Sequence, residues 1–276
     1  YRTEFLFMNR REAPSEEEQF VAYRSVAEAL DGKPVTIRTL DLGADKEMNN
    51  DTERTCTNPA LGLRAIRLCL AEPQLFHTQL RAILRASAFG NIQILIPMLS
   101  SISELKQTLL LLERAKNSLR QEKIAFDEKI QVGGMIEIPA AALCAEAFAK
   151  ELDFLSIGTN DLIQYSLAID RTDDSVSHLY DPVHPAVLNL VEMTIRAGKK
   201  QGKKVSVCGE MAGDTKLTRL LLGFGLRQFS MHPSHILMVK RQVLQSDIPK
   251  LNSTARKILG THDSEKIEPL IQKMNL

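Results

Sequence analysis

Short apolar runs rich in Val, Ile and Leu alternate along this chain with longer segments of helical period, and Gly, Pro or Asn marks most of the changes. That alternation argues for parallel β/α units. The strand candidates are Arg2 to Phe7, Val35 to Leu40, Leu63 to Ile66, Ile92 to Pro97, Val132 to Ile136, Phe154 to Ile157, Lys204 to Val207 and Gln228 to Met231. Eight runs predict an α/β fold of the (β/α)₈ TIM-barrel type, whose usual length of about 250 residues suits a chain of 276. The first run starts at the chain terminus, which gives a clipped first strand, and the third is very short. An open doubly wound sheet is the alternative fold.

Between the runs, Ser15 and Glu18 form an S-x-x-E capping box that predicts a helix to Leu30, stopped by Asp31-Gly32. Ile102, Leu105, Leu109 and Leu112 share one face of a long helix ending near Glu122. The same periodicity predicts helices over Ala140 to Lys150, Ala186 to Gln201, Thr215 to Leu222 and Ser234 to Leu244. From Asp247 to Leu276 the pattern reads as a polar connection and one terminal helix, a C-terminal helical extension. No fixed-period repeat, low-complexity tract or composition shift marks a second domain, so residues 1–276 read as a single domain.

Composition excludes several classes. With 44% hydrophobic and 25% charged residues the chain is neither disordered nor fibrous. Lys plus Arg number 35 against 34 for Asp plus Glu, a formal net charge of +1, so nothing draws the whole molecule to nucleic acid or an anionic membrane. The longest stretch without Asp, Glu, Lys or Arg, Ala86 to Ser103, carries Gly90, Asn91, Pro97 and a serine pair and does not read as a membrane span. Cys56, Cys69, Cys144 and Cys208 form no C-x-x-C pair, which points to a reducing compartment, read as the cytoplasm. Tyr1 stands where an initiator Met would be, so the chain reads as part of a longer polypeptide.

In a barrel of this kind, polar residues at strand ends point into the carboxyl-end mouth. They are Arg2, Arg38 with Asp41, and Arg64 from the first three runs, then Glu137, Asn160 with Asp161, and Cys208 with Gly209 and Glu210. Three arginines and two acids describe a site for a multiply charged anion held with a divalent cation, because guanidinium forks match phosphate and carboxylate oxygens. Each arginine alone also reads as half of a structural ion pair. Glu137 and Asp161 suit Mg²⁺, which takes carboxylate, water and phosphate oxygens, or else pair with those arginines. Gly158 to Asp161 reads as a tight turn whose backbone N–H groups can cradle an anion. Lys46, on the loop after the second run, either reaches the same anion or is simply solvated. Cys208 is either an inert core residue or, beside Gly209 and Glu210, a proton donor. His232 and His235 read as helix-start and core residues.

The motifs that carry a family resemblance are R-T-E-F at Arg2, I-R-T-L-D-L-G-A-D-K from Ile37 to Lys46, and N-P-A-L-G-L-R-A-I-R around Arg64. Q-L-R-A-I-L-R-A-S-A-F-G precedes Asn91, and M-I-E-I-P-A-A-A surrounds Glu137. S-I-G-T-N-D-L-I-Q-Y-S-L-A-I-D-R runs from Ser156 to Arg171, and C-G-E-M-A-G-D starts at Cys208. Across almost its whole length the chain resembles the phosphoenolpyruvate-binding C-terminal domain of enzyme I, the phosphoenolpyruvate-protein phosphotransferase of the bacterial phosphotransferase system. The resemblance implies that Arg2, Arg38 and Arg171 contact phosphoenolpyruvate with help from Arg64, Lys46 and Asn160. It implies that Glu137 and Asp161 hold Mg²⁺ and that Cys208 protonates the enolate to give pyruvate. It further implies a homodimer, an N-terminal phosphohistidine domain that receives the phosphoryl group, and a phosphocarrier protein after that.

Two departures keep the charged residues: Gly43-Ala44-Asp45-Lys46 stands where G-G-D-K is frequent, and Glu137-Ile138-Pro139 where E-T-P is frequent. Met48 to Thr57 is unfamiliar, and no histidine lies in the family's glycine-rich phosphoacceptor context, so the covalent intermediate needs another domain. The barrel of a pyruvate phosphate dikinase or phosphoenolpyruvate synthase shares the G-T-N-D-L and C-G-E motifs and is the nearer alternative. A phosphoenolpyruvate-sensing dimerisation module without turnover of its own is the other.

Overall fold

The structure, a computed structural model, describes residues 1–8, 10, 12–42 and 58–276. Lys46 and the segment Met48 to Thr57 lie outside the described residues. The chain divides into two compact units, Tyr1–Gly134 and Met135–Leu276.

The first unit opens with a 3₁₀ turn, Thr3–Leu6, followed by helix α1 (Glu16–Ala29) and strand β1 (Val35–Arg38). A second 3₁₀ turn, Pro59–Leu61, leads to α2 (Ala65–Ala71), α3 (Pro73–Ser87), β2 (Ile92–Ile96), α4 (Ile102–Gln121) and β3 (Gln131–Ile136), which runs across the boundary. β1 pairs with β2 and β2 with β3, both parallel, with Ile94 opposite Ile37 on one side and Val132 on the other. Helix α1 begins where the capping box predicts: Ser15 Oγ accepts from the Glu18 N–H at 3.2 Å and the Glu18 carboxylate accepts from the Ser15 N–H at 2.8 Å. Ser101 and Glu104 start α4 in the same way. Tyr23, Ile37, Phe76, Leu80 and Ile94 are fully buried. Among them Gln79 of α3 accepts from the Leu40 N–H and donates to Thr3 Oγ1 and to Tyr23 OH. One buried amide thus ties α3 to the first turn, to α1 and to the chain leaving β1, satisfying polar groups that would otherwise be costly to bury.

The second unit contains α5 (Pro139–Leu143), α6 (Ala145–Glu151), β4 (Phe154–Gly158) and α7 (Thr159–Leu167), then α8 (Pro185–Lys200) and β5 (Lys204–Cys208). It continues with α9 (Glu210–Gly213), α10 (Thr215–Phe224), β6 (Gln228–Phe229), α11 (Pro233–Leu244), α12 (Ile248–Leu259) and α13 (Ser264–Asn275). β4 pairs with β5 and β5 with β6, again parallel. Successive strands therefore lie side by side with helices as return connections, the arrangement that the alternating sequence predicts. His232 caps α11, its Nδ1 facing the Ser234 N–H, but neither it nor His235 is a core residue, since both are exposed.

Several expectations need correction. Six strands are found among the described residues where eight were expected. The first expected run shrinks to a single bridge between Arg2 and Arg38, because Thr3–Leu6 coils into the 3₁₀ turn that buries Thr3 and Glu4. The third keeps only Arg64 in a bridge before Ala65, at φ 51°, opens α2. Gly158–Asp161 is not a free turn but the entry to α7. The helix expected over Ala140 to Lys150 is two helices that meet at Cys144. The tail holds two helices rather than one, since Leu251, Ala255 and Ile258 form a buried face at helical spacing among polar neighbours. No helix among the described residues is long and apolar enough to cross a membrane.

Ile94→Ala, in the middle strand of the first unit's sheet, is expected to cost about 2–5 kcal/mol of stability, read from urea denaturation. Leu237→Ala on α11, where the side chain is 76% exposed, should change stability by no more than about 0.5 kcal/mol.

Candidate functional site

In the first unit the candidate residues form an arginine cluster with its own counter-charges. Arg38 ends β1 and is ion-paired to Glu4, and its other nitrogen reaches Asp41 Oδ2 at 2.8 Å. Arg64, the residue before α2, donates to Asp41 Oδ1 at 2.7 Å, so one carboxylate bridges two guanidinium groups. Arg2 is brought alongside by its backbone bridge to Arg38. Glu4 and Asp41 are both buried, and their placement follows from the 3₁₀ turn and from the two residues that separate Asp41 from the end of β1. Two guanidinium groups therefore face two carboxylates, and exposed Arg2 adds a third cationic side chain on the bridge beside them. The structural ion-pair reading is seen for Arg38 and Arg64.

In the second unit the polar groups gather where β4 and β5 end. The pairing sets Gly158 opposite Cys208. Glu137, just after β3, is 1% exposed, and its Oε2 lies 2.5 Å from where a Cβ on Gly158 would stand. Only glycine leaves room for that carboxylate against the entry to α7, whose first turn carries Asp161. Helix N-termini favour negative charge. Thr159 Oγ1 donates to the Cys208 carbonyl at 3.0 Å, and the Cys208 S–H donates to the Ile157 carbonyl at 3.4 Å. Asn160 Oδ1 accepts from the Glu210 N–H at 2.9 Å and from Tyr180 OH at 3.5 Å. Its amide NH₂ is thereby the end presented as donor. Burial, reinforced by Glu210 and Asp161 and opposed by Arg171, pushes the Tyr180 phenol up to about 12, so it stays protonated at neutral pH. Arg171, on the segment after α7, is exposed and held by its backbone N–H to Gln164 Oε1 at 3.2 Å.

Glu4, Thr159 and Tyr180 were not singled out from the sequence. Glu4 stands two residues from Arg2, and the cost of burying an unpaired arginine was the signal that an acid must be near. Cys69 is the contrasting cysteine: burial and the nearby Asp41 push its thiol up to about 12, which makes it an inert core residue. No group of three or more His, Cys, Asp or Glu suited to a metal is found among the described residues. Mg²⁺, however, takes one or two carboxylates from protein and fills its remaining positions with water and substrate oxygens. Buried Glu137, cradled by Gly158, and Asp161 fit that donor chemistry.

The sequence matches the family described as PEP-utilising enzyme, PEP-binding domain, over residues 1–248. It is 56% identical over 269 residues to a phosphoenolpyruvate-protein phosphotransferase of Cupriavidus necator, covering 96% of this chain and 46% of that protein. It is 46% identical over 273 residues to a protein of the same name in Bacillus subtilis, covering 99% of this chain and 48% of that one. The chain thus spans about half the length of the curated relatives it matches. Its fold is similar to that of a Haloferax volcanii malate synthase in a pyruvate and acetyl-CoA ternary complex, with a TM-score of 0.54. The two share 15% identity, over 84% of this chain and 57% of that one, a likeness of fold alone.

Gly209, at φ 96°, would place a Cβ 2.5 Å from Thr159 Oγ1 and 2.8 Å from Asn160 Oδ1. Gly202, at φ 65°, meets nothing within 4 Å. Gly202→Ala should therefore lose only the backbone term, about 1–2 kcal/mol, and Gly209→Ala distinctly more in chemical denaturation. Equal losses would mean that Thr159 and Asn160 are not held against Gly209.

Proposed function

The chain belongs to the phosphoenolpyruvate-utilising enzymes, whose phosphoenolpyruvate-binding domain it matches, and from that membership we propose that it binds phosphoenolpyruvate and passes the phosphoryl group to a histidine of a separate domain, releasing pyruvate. This is the first step of a bacterial phosphotransferase system. The observation that carries the reading is the 56% identity to a phosphoenolpyruvate-protein phosphotransferase over 96% of the chain, which favours this activity over a dikinase.

Phosphoryl transfer asks a protein mainly to position its reactants and neutralise charge. Arg2, Arg38 and Arg64 supply the guanidinium groups for the phosphate and carboxylate oxygens, with Lys46 and Arg171 as further cations and the Asn160 amide as a donor. The ion pairs that hold Arg38 and Arg64, and the backbone bridge that sets Arg2 beside Arg38, support the first three roles. Glu137 and Asp161 would hold Mg²⁺, which supplies Lewis-acid stabilisation of the charge on substrate oxygens. As the phosphorus–oxygen bond to the enol breaks and a phosphorus–nitrogen bond to histidine forms, an enolate remains. Cys208 gives its thiol proton to the enolate carbon, and the S–H electron pair stays on sulfur. Its partners in the completed protein are an N-terminal phosphohistidine domain, then a phosphocarrier, with a second copy of the chain as homodimer and the reducing cytoplasm as the compartment.

Calorimetry should show phosphoenolpyruvate binding that weakens when EDTA is added or when Glu137 is changed to Gln. Binding of equal affinity without metal would remove Glu137 and Asp161 from that role. Arg38→Lys keeps a charge between Glu4 and Asp41 but gives up the guanidinium fork, and should weaken binding by about tenfold, the lower end for one hydrogen bond to a charged group. An unchanged affinity would make Arg38 a purely structural ion-pair residue. Sedimentation with ligand and Mg²⁺ present tests the homodimer, which a purely monomeric species would contradict.

A further inference from the structure

In the pairing of β4 with β5, Ser156 stands opposite Ser206 and Gly158 opposite Cys208. The two-residue period of a strand puts Ser156, Ser206 and Cys208 on one face. Ser206 Oγ lies 3.1 Å from Ser156 Oγ and 3.5 Å from the Leu155 carbonyl, the nearer being the better acceptor for its one hydrogen, and Ser156 Oγ donates to Cys208 Sγ at 3.4 Å. The sulfur passes its own hydrogen to the Ile157 carbonyl at 3.4 Å. Ser156 is 4% exposed, between Leu155 and Ile157, which are fully buried. A neutral thiol is a weak acceptor, so a buried hydroxyl spent on it returns little, and alanine would fill the same place without desolvating a polar group. The balance reverses once the sulfur carries a negative charge, because hydrogen bonds to ionised acceptors are about twice as strong as neutral ones.

We propose that Ser156 is a positioning residue for Cys208, fixing the orientation of the thiol and stabilising the thiolate that remains after its proton is given to the enolate carbon. The inference rests on the reading of Cys208 as the acid. In that step a C–H bond forms at the enolate carbon, the S–H bond breaks, its electron pair remains on sulfur, and the Ser156 O–H points at that pair. Ser206 acts one bond further away, by holding the Ser156 hydroxyl toward the sulfur. Thr159, donating to the Cys208 carbonyl, holds the backbone of the same residue.

The step can be read in this chain alone, in reverse, as exchange of pyruvate methyl hydrogens with deuterium in D₂O, followed by NMR with Mg²⁺ and with inorganic phosphate standing in for the transferred group. The unaltered chain should catalyse the exchange and Cys208→Ser should lose it. Ser156→Ala should slow the maximal exchange rate by about tenfold while the half-saturating pyruvate concentration and the calorimetric affinity for phosphoenolpyruvate stay within about twofold. Ser206→Ala should give a smaller loss of the same kind. Exchange at the unaltered rate in Ser156→Ala would overturn the inference. So would a loss of affinity in step with the rate, or a greater loss in Ser206→Ala than in Ser156→Ala. No exchange by the unaltered chain, or full exchange by Cys208→Ser, would instead remove the reading of Cys208 on which the inference stands.

Discussion

Parallel pairing of β4 with β5 sets Gly158 against Cys208, and the polar groups of the second unit are arranged around that pair. Leu155, Ile157 and Val207 are fully buried, so the body of these strands has little tolerance for unpaired polarity. Polar chemistry is displaced to the strand ends, where α7 and α9 start and where side chains can meet both backbone donors and a ligand. The absence of a Cβ at Gly158 admits the Glu137 carboxylate, and the absence of one at Gly209 admits Thr159 and Asn160. Two small residues thus decide how closely the functional groups approach each other.

The arginine cluster of the first unit solves a different problem. Long cationic side chains left alone would lose rotamer entropy on binding an anion and repel one another before it arrived. Glu4 and Asp41 hold Arg38 and Arg64 in place. Arg38 Nε and Glu4 Oε2 remain buried without a hydrogen-bond partner among the described residues, so the cluster is not fully satisfied by its own ion pairs. Order and an unspent guanidinium donor are supplied together, which is the combination that preorganised electrostatics requires.

Much of this was legible beforehand because it depends on local pattern. The S-x-x-E box fixed the start of α1, and runs such as Ile92–Ile96 and Phe154–Gly158 stood out as strands by apolar content between breakers. Glu137, Asp161 and Cys208 could be singled out because each follows such a run directly. Arg2 to Phe7 failed as a strand because so short a segment, even with Phe5, Leu6 and Phe7 in a row, does not encode whether it will pair or coil, and tertiary burial of Thr3 and Glu4 decided it. Glu4, Ser156 and Tyr180 escaped notice because their meaning lies in partners 34, 52 and 20 residues away. No periodicity reports a contact at that range.

One feature of the second unit bears on how such a chain can vary. β4 ends at Gly158 and α7 begins at Thr159, with no connecting residue between them. A single insertion at that joint would turn every following helical position by about 100°, carrying Asn160 away from Glu210 and Asp161 from its place in the first turn. By contrast, residues 168–184 form a long connection between α7 and α8. Length changes are therefore more tolerable between Arg171 and Tyr180 than at the joint, where divergence is confined to side-chain exchange while the spacing of the chain is kept.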